Sequence, residues 1–143
     1  MEIKIYTDGS CIGNPGPGGW AAIIINGIEK KEIFGGEELT TNNRMELTAA
    51  IKALEYCANE KKNAIKIFTD SIYVKDGITT WINKWEKNKW KTANKQSVKN
   101  IDLWKKLKKL SASKKIKWNW IKGHSKNSMN DLVDKLAKRA TPI

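Results

Sequence analysis

The feature that most constrains the fold of this chain is a pair of strand-like segments separated by Asn26-Gly27. The segments are residues 19–25 and 28–34, and both include isoleucine, a residue that favours extended backbone. Asn-Gly between two such segments is the strongest short-range signal for a β-hairpin, because both residues accept the positive φ that a tight turn needs. We therefore predict two antiparallel strands in the first part of the chain.

A third strand is predicted ahead of this hairpin. In residues 2–8 apolar and polar side chains alternate, which is the pattern of a strand, and this strand would end at Asp8. The stretch 9–19 is dense in glycine and proline and predicts a loop. The chain is thus expected to begin with three antiparallel strands.

Helices and two further strands are predicted downstream. Apolar residues at helical spacing predict a helix over 43–59, and residues 64–69 predict a strand. A helix that connects two strands of one sheet makes those strands parallel, with a right-handed crossover. The remaining predicted elements are short helices at 71–76 and 80–87, a helix at 100–110, a strand at 115–121 and a helix at 127–140. This order predicts an α/β fold, a mixed five-stranded sheet with three antiparallel strands and then two parallel ones, flanked by helices.

The length of 143 residues suits a single domain over 1–143, because no linker divides the chain. No stretch approaches the roughly 20 apolar residues of a membrane-spanning helix, and the amino end lacks the apolar stretch of a secretory signal. We therefore expect a cytoplasmic monomer without membrane association or an obligate protein partner. Cys11 and Cys57 lack the paired spacing of a zinc site, and reduced thiols are expected.

The positive charge of the chain is concentrated in its second half. The net charge is +12; residues 1–71 hold 8 basic and 10 acidic residues, and residues 72–143 hold 19 and 5. Within 81–117 alone, 13 lysines stand against Glu86 and Asp102. Such a patch is the pattern expected of a surface that binds a phosphate backbone, although a solvated lysine-rich surface would give the same composition.

Two of the predicted strands end in the same way, at Thr7-Asp8 and at Thr69-Asp70. In an open α/β sheet the ligand crevice lies beyond the carboxyl ends of the strands. If these strands are parallel neighbours, the two carboxylates lie roughly 5 Å apart. A single aspartate at such a position is often a turn or helix cap, but the repeat weakens that alternative.

Two more carboxylates have competing structural interpretations. Asn43 and Glu46 have the spacing of a capping box, so Glu46 could merely close the start of its helix. Either role puts Glu46 in the first turn, at the end that can face the crevice. Asp134 lies about 140° from the centre of the apolar stripe of the last helix, which is typical of a solvated residue.

Several blocks of this sequence match one known family in order and separation. They are TDGSCIGNPGPGGW at 7–20, TTNNRMEL at 40–47, TDS at 69–71, the tryptophan-rich basic segment 81–104, and KGH at 122–124 followed by Asp134. On these blocks the chain resembles the bacterial type 1 ribonuclease H family over essentially its whole length. The resemblance implies a ribonuclease H-like fold and an endonuclease that hydrolyses the RNA strand of RNA–DNA hybrids, leaving 3′-hydroxyl and 5′-phosphate ends.

The resemblance also implies a metal site built from four carboxylates. Its implied ligands are Asp8, Glu46, Asp70 and Asp134. Two divalent ions about 3.5–4 Å apart can support phosphodiester hydrolysis, and oxygen ligands favour Mg²⁺, with Mn²⁺ as a possible substitute. His124, the only histidine, is implied to assist proton transfer or product departure, whereas a lone histidine is otherwise most often structural.

The RNA strand of the hybrid is expected to be recognised through its ribose hydroxyls. Amide side chains and backbone groups suit this task because a hydroxyl both donates and accepts. The implied residues are Cys11 through its backbone, Asn14, Asn42, Asn43 and Glu46. Asn42 and Asn43 could instead only cap the helix.

The DNA strand is implied to contact a second set of residues. Thr41 and Asn100 would hold a phosphate, and Trp81 would line the groove of the strand. A basic protrusion at about 81–100 would follow the backbone. Its implied lysines are Lys84, Lys87, Lys89, Lys91, Lys95 and Lys99. Helix packing is the alternative role for the tryptophans of this segment, and we favour it for Trp104 and Trp118.

Two other functions remain open at this point. A hybrid-binding module without catalysis is disfavoured because all four acidic positions are present. A related DNA nuclease on the same sheet, such as a junction resolvase or integrase core, is disfavoured because it would lack the TTNNRMEL and KGH contexts found here.

Overall fold

A computed structural model describes residues 2–59, 64–112, 114–122 and 128–142. Five strands form one sheet in the order β3-β2-β1-β4-β5. They are β1 (Glu2–Cys11), β2 (Gly16–Asn26), β3 (Glu29–Thr40), β4 (Ala64–Thr69) and β5 (Ile116–Trp120). β1, β2 and β3 pair antiparallel, and β4 pairs parallel with both β1 and β5. The predicted mixed sheet is confirmed.

Five α-helices and one π-helical turn surround this sheet. They are α1 (Asn42–Tyr56), α2 (Ile72–Asp76), the π-helical turn (Gly77–Trp81), α3 (Ile82–Lys87), α4 (Ile101–Ser111) and α5 (Ser128–Ala140). Among the residues described, no helix is long and apolar enough to cross a lipid bilayer.

The two faces of the sheet are covered by different helices. Because side chains alternate along a strand, Ile3 and Ile5 point to one face and pack with α1 and α4 in the larger apolar core. Ala21 and Ile23 point to the other face, where they pack against α5. α5 contacts β1, β2 and β3, and therefore covers the part of this second face that those three strands form.

The prediction of a loop over residues 9–19 is wrong for most of that stretch. β1 continues to Cys11 and β2 already begins at Gly16, with Ser10 opposite Gly19. β3 likewise continues past Phe34 to Thr40. Pairing with neighbouring strands outweighs the weak strand preference of glycine, because strand preference depends strongly on context.

The alternative of a capping box formed by Asn43 and Glu46 at the start of α1 is excluded. Thr41 is the N-cap, and its hydroxyl accepts a hydrogen bond from the backbone N–H of Arg44 at 3.2 Å. Asn42 and Asn43 are the first helical residues and cap nothing. Glu46 therefore has no capping role and is available for another function.

Gly9 allows the start of α1 to lie directly against β1. A Cβ atom at position 9 would stand 2.4 Å from the backbone nitrogen of Glu46, a distance that real Cβ atoms do not reach. The obstructing atoms belong to backbone, which cannot rotate away as a side chain can. The absence of a side chain at Gly9 thus sets how closely Glu46 approaches β1.

We predict that Gly9→Ala lowers the free energy of unfolding by about 1–3 kcal/mol, the usual cost of an overpacked interior. Urea unfolding of both proteins would measure the change. Gly27→Asn is the control, because Gly27 has a φ of 64° with no atom near its missing Cβ, and asparagine tolerates that φ. Equal losses in the two variants would contradict the steric argument.

Candidate active site

Three carboxylates meet at the carboxyl edge of the parallel strands. Asp8 lies in β1, Asp70 directly follows β4, and Glu46 lies in the second turn of α1. One oxygen atom from each of the three lies within 4.8 Å of the others. The expectation that the two strands are parallel neighbours with adjacent carboxylates is confirmed.

The cluster is buried although it is acidic. Asp8 and Glu46 are only 3 % and 5 % exposed. Oε1 of Glu46 is buried and has no hydrogen-bond partner among the described residues, an arrangement that costs free energy unless something compensates it. Three carboxylates, one of which carries an unsatisfied buried oxygen, fit a hard divalent cation.

Burial and mutual repulsion favour the protonated forms of these groups. The pKa of Asp8 is raised to about 8, first by desolvation and then by the negative charge of Asp70. The pKa of Glu46 is raised well above its ordinary value, by desolvation and by the charges of Asp8 and Asp70. Near neutral pH and without a cation, the cluster therefore retains protons.

Asp134 lies beside Asp8 at the border of this cluster. It interacts with Asp8 by hydrogen bonding and charge, but it is not among the three residues whose oxygens lie within 4.8 Å of one another. Its side chain is 33 % exposed and forms an ion pair with Lys138 at 3.1 Å. Asp134 is thus more solvated than Asp8 and Glu46, and its charge is partly balanced.

Asp70 is positioned by contacts of its backbone. The indole N–H of Trp120, at the end of β5, donates to the carbonyl oxygen of Asp70 at 3.0 Å. The cap of α2 is Ser71, whose hydroxyl accepts from the N–H of Val74 at 3.1 Å. The alternative that Asp70 only caps a helix is therefore excluded. His124 lies outside the described residues.

A comparison with known proteins identifies the family. The family model described as RNase H matches residues 1–141. This chain belongs to the ribonuclease H family.

Bacterial relatives and a solved structure agree with this assignment. The chain is 54 % identical to a ribonuclease H of Wolbachia sp. subsp. Drosophila simulans (strain wRi), over 97 % of this chain and 94 % of that protein. It is 53 % identical to a ribonuclease H of Parvibaculum lavamentivorans, over 96 % and 90 %. The structure is similar to that of LC9-RNase H1, a type 1 RNase H with the type 2 active-site motif, with a TM-score of 0.85, 29 % identity, and coverage of 97 % and 71 %.

In this member of the ribonuclease H family, the residues expected at the RNA strand surround the start of α1. Asn42 and Asn43 are exposed, and Asn14 is joined to them because its side-chain oxygen accepts the N–H of Asn42 at 2.8 Å. Cys11 is half-buried, and its thiol lies 3.5 Å from the carbonyl oxygen of Thr40. The turn between β1 and β2 is therefore attached to the helix that carries Glu46.

A polar network that the sequence did not predict connects α1 with α4. Arg44 makes a bidentate ion pair with Asp102, at 2.9 and 3.1 Å, and donates to the side-chain oxygen of Asn100 at 3.2 Å. The Asn100 amide and the Trp104 indole both donate to the hydroxyl of Tyr73 at 3.1 Å. Arg44 holds the pKa of Asp102 below its usual range. The network fixes Asn100, whose φ is 62°, near the cap residue Thr41.

The predicted basic protrusion presents its lysines to solvent and its tryptophans mostly inward. Lys84, Lys87, Lys89, Lys91, Lys95 and Lys99 are all exposed. Trp104 is fully buried, and Trp118 packs against the same core, as we favoured. Trp85 and Trp90 also pack against it, so both have a structural role. The half-buried Trp81 makes a T-shaped ring contact with Tyr73, with ring centroids 6.1 Å apart.

The carboxylate cluster predicts that the metal-free protein becomes less stable as the pH rises. A group with a raised pKa stabilises the fold in its protonated form, so the contribution of Asp8 is complete below about 3.8 and is lost as the pH passes about 8. Urea unfolding in EDTA between about pH 5 and pH 8 should show a falling free energy of unfolding. Asp8→Asn should weaken this dependence, and the exposed Asp131→Asn should not. A stability that increases over this range would contradict the assignment.

Proposed function

We propose that this protein is an endonuclease that hydrolyses the RNA strand of RNA–DNA hybrids and leaves 3′-hydroxyl and 5′-phosphate ends. The observation that carries the proposal is the buried cluster of Asp8, Glu46 and Asp70, with an unpaired oxygen on Glu46, in a chain of the ribonuclease H family. We further propose that residues 1–143 form a single catalytic domain. The monomeric state and the cytoplasmic location remain predictions.

The proposed cofactor is a pair of divalent cations, with Mg²⁺ preferred and Mn²⁺ able to substitute. We assign their ligands as Asp8, Glu46, Asp70 and Asp134. Such ions, when bound, neutralise the phosphoryl charge and lower the pKa of a bound water. Hard carboxylate oxygens and a substrate phosphate suit Mg²⁺, which supports the choice of ion.

The protonation of the carboxylate cluster has a consequence for this assignment. Because Asp8, with a pKa of about 8, holds a proton near neutral pH, cations must displace that proton, and their apparent affinity should rise with pH. Asp134 is more exposed than Asp8 and Glu46 and can adjust its position with less loss of packing than they can.

We propose an auxiliary role for His124 in proton transfer or product departure. The elements on either side of it along the chain, β5 and α5, both reach the cluster, through Trp120 and Asp134 respectively. This arrangement supports the proposal.

Recognition of the hybrid is proposed to use both sides of the start of α1. Asn14, Asn42, Asn43, the backbone of Cys11 and Glu46 would contact the ribose hydroxyls of the RNA strand. Thr41 and Asn100 would hold a phosphate of the DNA strand, with Trp81 beside it. The ion pair of Arg44 with Asp102 supports this, since it holds Asn100 against the helix that Thr41 caps.

The proposed function is tested by incubating labelled duplexes of one sequence with the protein, as RNA–DNA, RNA–RNA and DNA–DNA. We expect cleavage of the RNA in the hybrid alone, with Mg²⁺ and not with EDTA. Binding of the hybrid without cleavage would indicate a non-catalytic module. Cleavage of the DNA duplex would indicate a DNA nuclease.

Asp70→Asn is predicted to abolish hybrid cleavage while the metal-free protein stays equally or more stable. The substitution removes a cation ligand and also removes repulsion from its neighbours. Hybrid cleavage assays and urea unfolding in EDTA would measure the two effects. Asp131→Asn, on the exposed side of α5, is the matched control and should retain full activity. A clear loss of stability in Asp70→Asn would mean that the residue is structural.

Replacement of Lys87, Lys89 and Lys91 by glutamine is predicted to weaken the salt dependence of hybrid affinity. Each phosphate neutralised contributes roughly 0.7–0.9 to the slope of log affinity against log salt, so three lysines should reduce the slope by about 2–3. The turnover of the saturated enzyme should not change. Glutamine at Lys30, Lys31 and Lys52 gives the same change of charge elsewhere and serves as the control. An unchanged slope would refute the placement of the binding surface.

A further inference from the structure

We propose that the face of β1, β4 and β5 opposite α1 binds single-stranded nucleic acid, at a site separate from the basic protrusion. The site consists of a lysine row, formed by Lys4, Lys66 and Lys117, and of the aromatic pair Tyr6 and Phe68. The inference does not require cleavage, because binding is measured without a cation.

The lysine row follows from the register of three adjacent parallel strands. Lys4 of β1 pairs with Lys66 of β4, and Lys66 pairs with Lys117 of β5. Paired residues point to the same face, and neighbouring strands lie about 4.8 Å apart. Like charges at directly opposite positions destabilise a sheet, so this row has an energetic cost that a bound polyanion would remove.

Only part of this charge is balanced within the described chain. Nζ of Lys66 lies 3.5 Å from Glu2, and the Lys66 side chain is 36 % exposed. Lys4 and Lys117 are exposed. Lys115 joins them at a shallow groove of about 330 Å³, which Glu2, Lys66 and Lys117 also line.

The face that carries the row is the one opposite α1. Ile3, Ile5, Ile65 and Ile67 alternate with the lysines along β1 and β4 and are buried in the core on the α1 side. On the lysine side, α5 packs on β1, β2 and β3. The row therefore lies beside α5, on the part of the sheet toward β5.

The aromatic pair separates the lysine row from the carboxylate cluster. Tyr6 and Phe68 are paired in the register of β1 and β4, and their rings stack with centroids 4.7 Å apart and an angle of 14°. β1 and β4 thus carry the same three residue types in the same order. A lysine is followed two positions later by an aromatic residue, and two positions after that by an aspartate of the cluster. About 13 Å separates the lysines from the aspartates along the strands.

This combination favours a single nucleic-acid strand over an acidic peptide. Phosphates would meet the lysines, and unpaired bases offer flat surfaces to the half-buried rings. An acidic peptide has charge for the lysines but no flat groups for the rings. A strand that continues from a duplex at the carboxylate edge would reach the rings first and the lysines next.

The test measures the affinity of a labelled oligothymidylate of about 12 nucleotides in EDTA by fluorescence anisotropy over a range of salt. We expect the triple variant Lys4→Gln, Lys66→Gln, Lys117→Gln to bind at least about tenfold more weakly, with a salt slope lower by about 2. The control with glutamine at Lys30, Lys31 and Lys52 should bind within about twofold of the unchanged protein. Phe68→Leu should weaken binding several-fold without changing the salt slope, because it alters stacking alone.

Three further measurements keep the outcomes separate. Urea unfolding should show the triple variant to be at least as stable as the unchanged protein, because repulsion has been removed. Cleavage of a short blunt hybrid should be the same in the triple variant as in the unchanged protein. If neither the unchanged protein nor any variant cleaves that hybrid, the proposed function is refuted while this inference stands. Glutamine at Lys87, Lys89 and Lys91 should weaken binding of the oligothymidylate less than glutamine at Lys4, Lys66 and Lys117 does.

The inference is overturned if the unchanged protein does not bind the probe, or if binding depends on the protrusion lysines instead of the lysine row. It is also overturned if a polyglutamate peptide binds through the lysine row while the oligothymidylate does not. That result would identify a surface for acidic peptides.

Discussion

Mutual repulsion among Asp8, Glu46 and Asp70 is the constraint on which the surrounding structure depends. Buried carboxylates this close together tend to separate or to take up protons, and the raised pKa of Asp8 reflects that cost. The fold prevents separation with rigid elements, because two parallel strands and a helix meet at one edge and Gly9 lets the helix lie against the strand. The stability of the core thus maintains an arrangement that is unfavourable by itself.

The charge on the rest of the molecule is opposite in sign and in location to that of this cluster. The acidic site is small and buried, whereas the lysines of the protrusion and of the sheet face opposite α1 are exposed. A phosphate backbone is therefore attracted to the surface around the site, while the site itself remains available for cations. The ion pair of Arg44 with Asp102 joins α1 to α4.

Local patterns in the sequence were enough to predict the five strands, the longer helices and the meeting of Asp8 with Asp70. They failed where two solutions were locally equivalent. Thr41 and Asn43 can both cap a helix, and in the structure β3 ends at Thr40 and Thr41 is the cap. Contacts such as Arg44 with Asp102, or Trp120 with Asp70, join residues 50 or more positions apart and leave no periodic signal. The lysine row likewise could not be predicted from the sequence, because it depends on the register of the strands.

The start of α1 carries Glu46 on its inner side and Asn42 and Asn43 on its outer side, and Asn14 is fastened to it. One rigid body therefore holds both a group proposed for chemistry and the groups proposed to read the sugar. A change that tilts the start of α1 would alter the rate of cleavage and the selectivity for the sugar together, so the two properties cannot be changed separately. An engineer who wants to retarget such an enzyme has more freedom at peripheral surfaces, where affinity can be adjusted without moving the reactive centre.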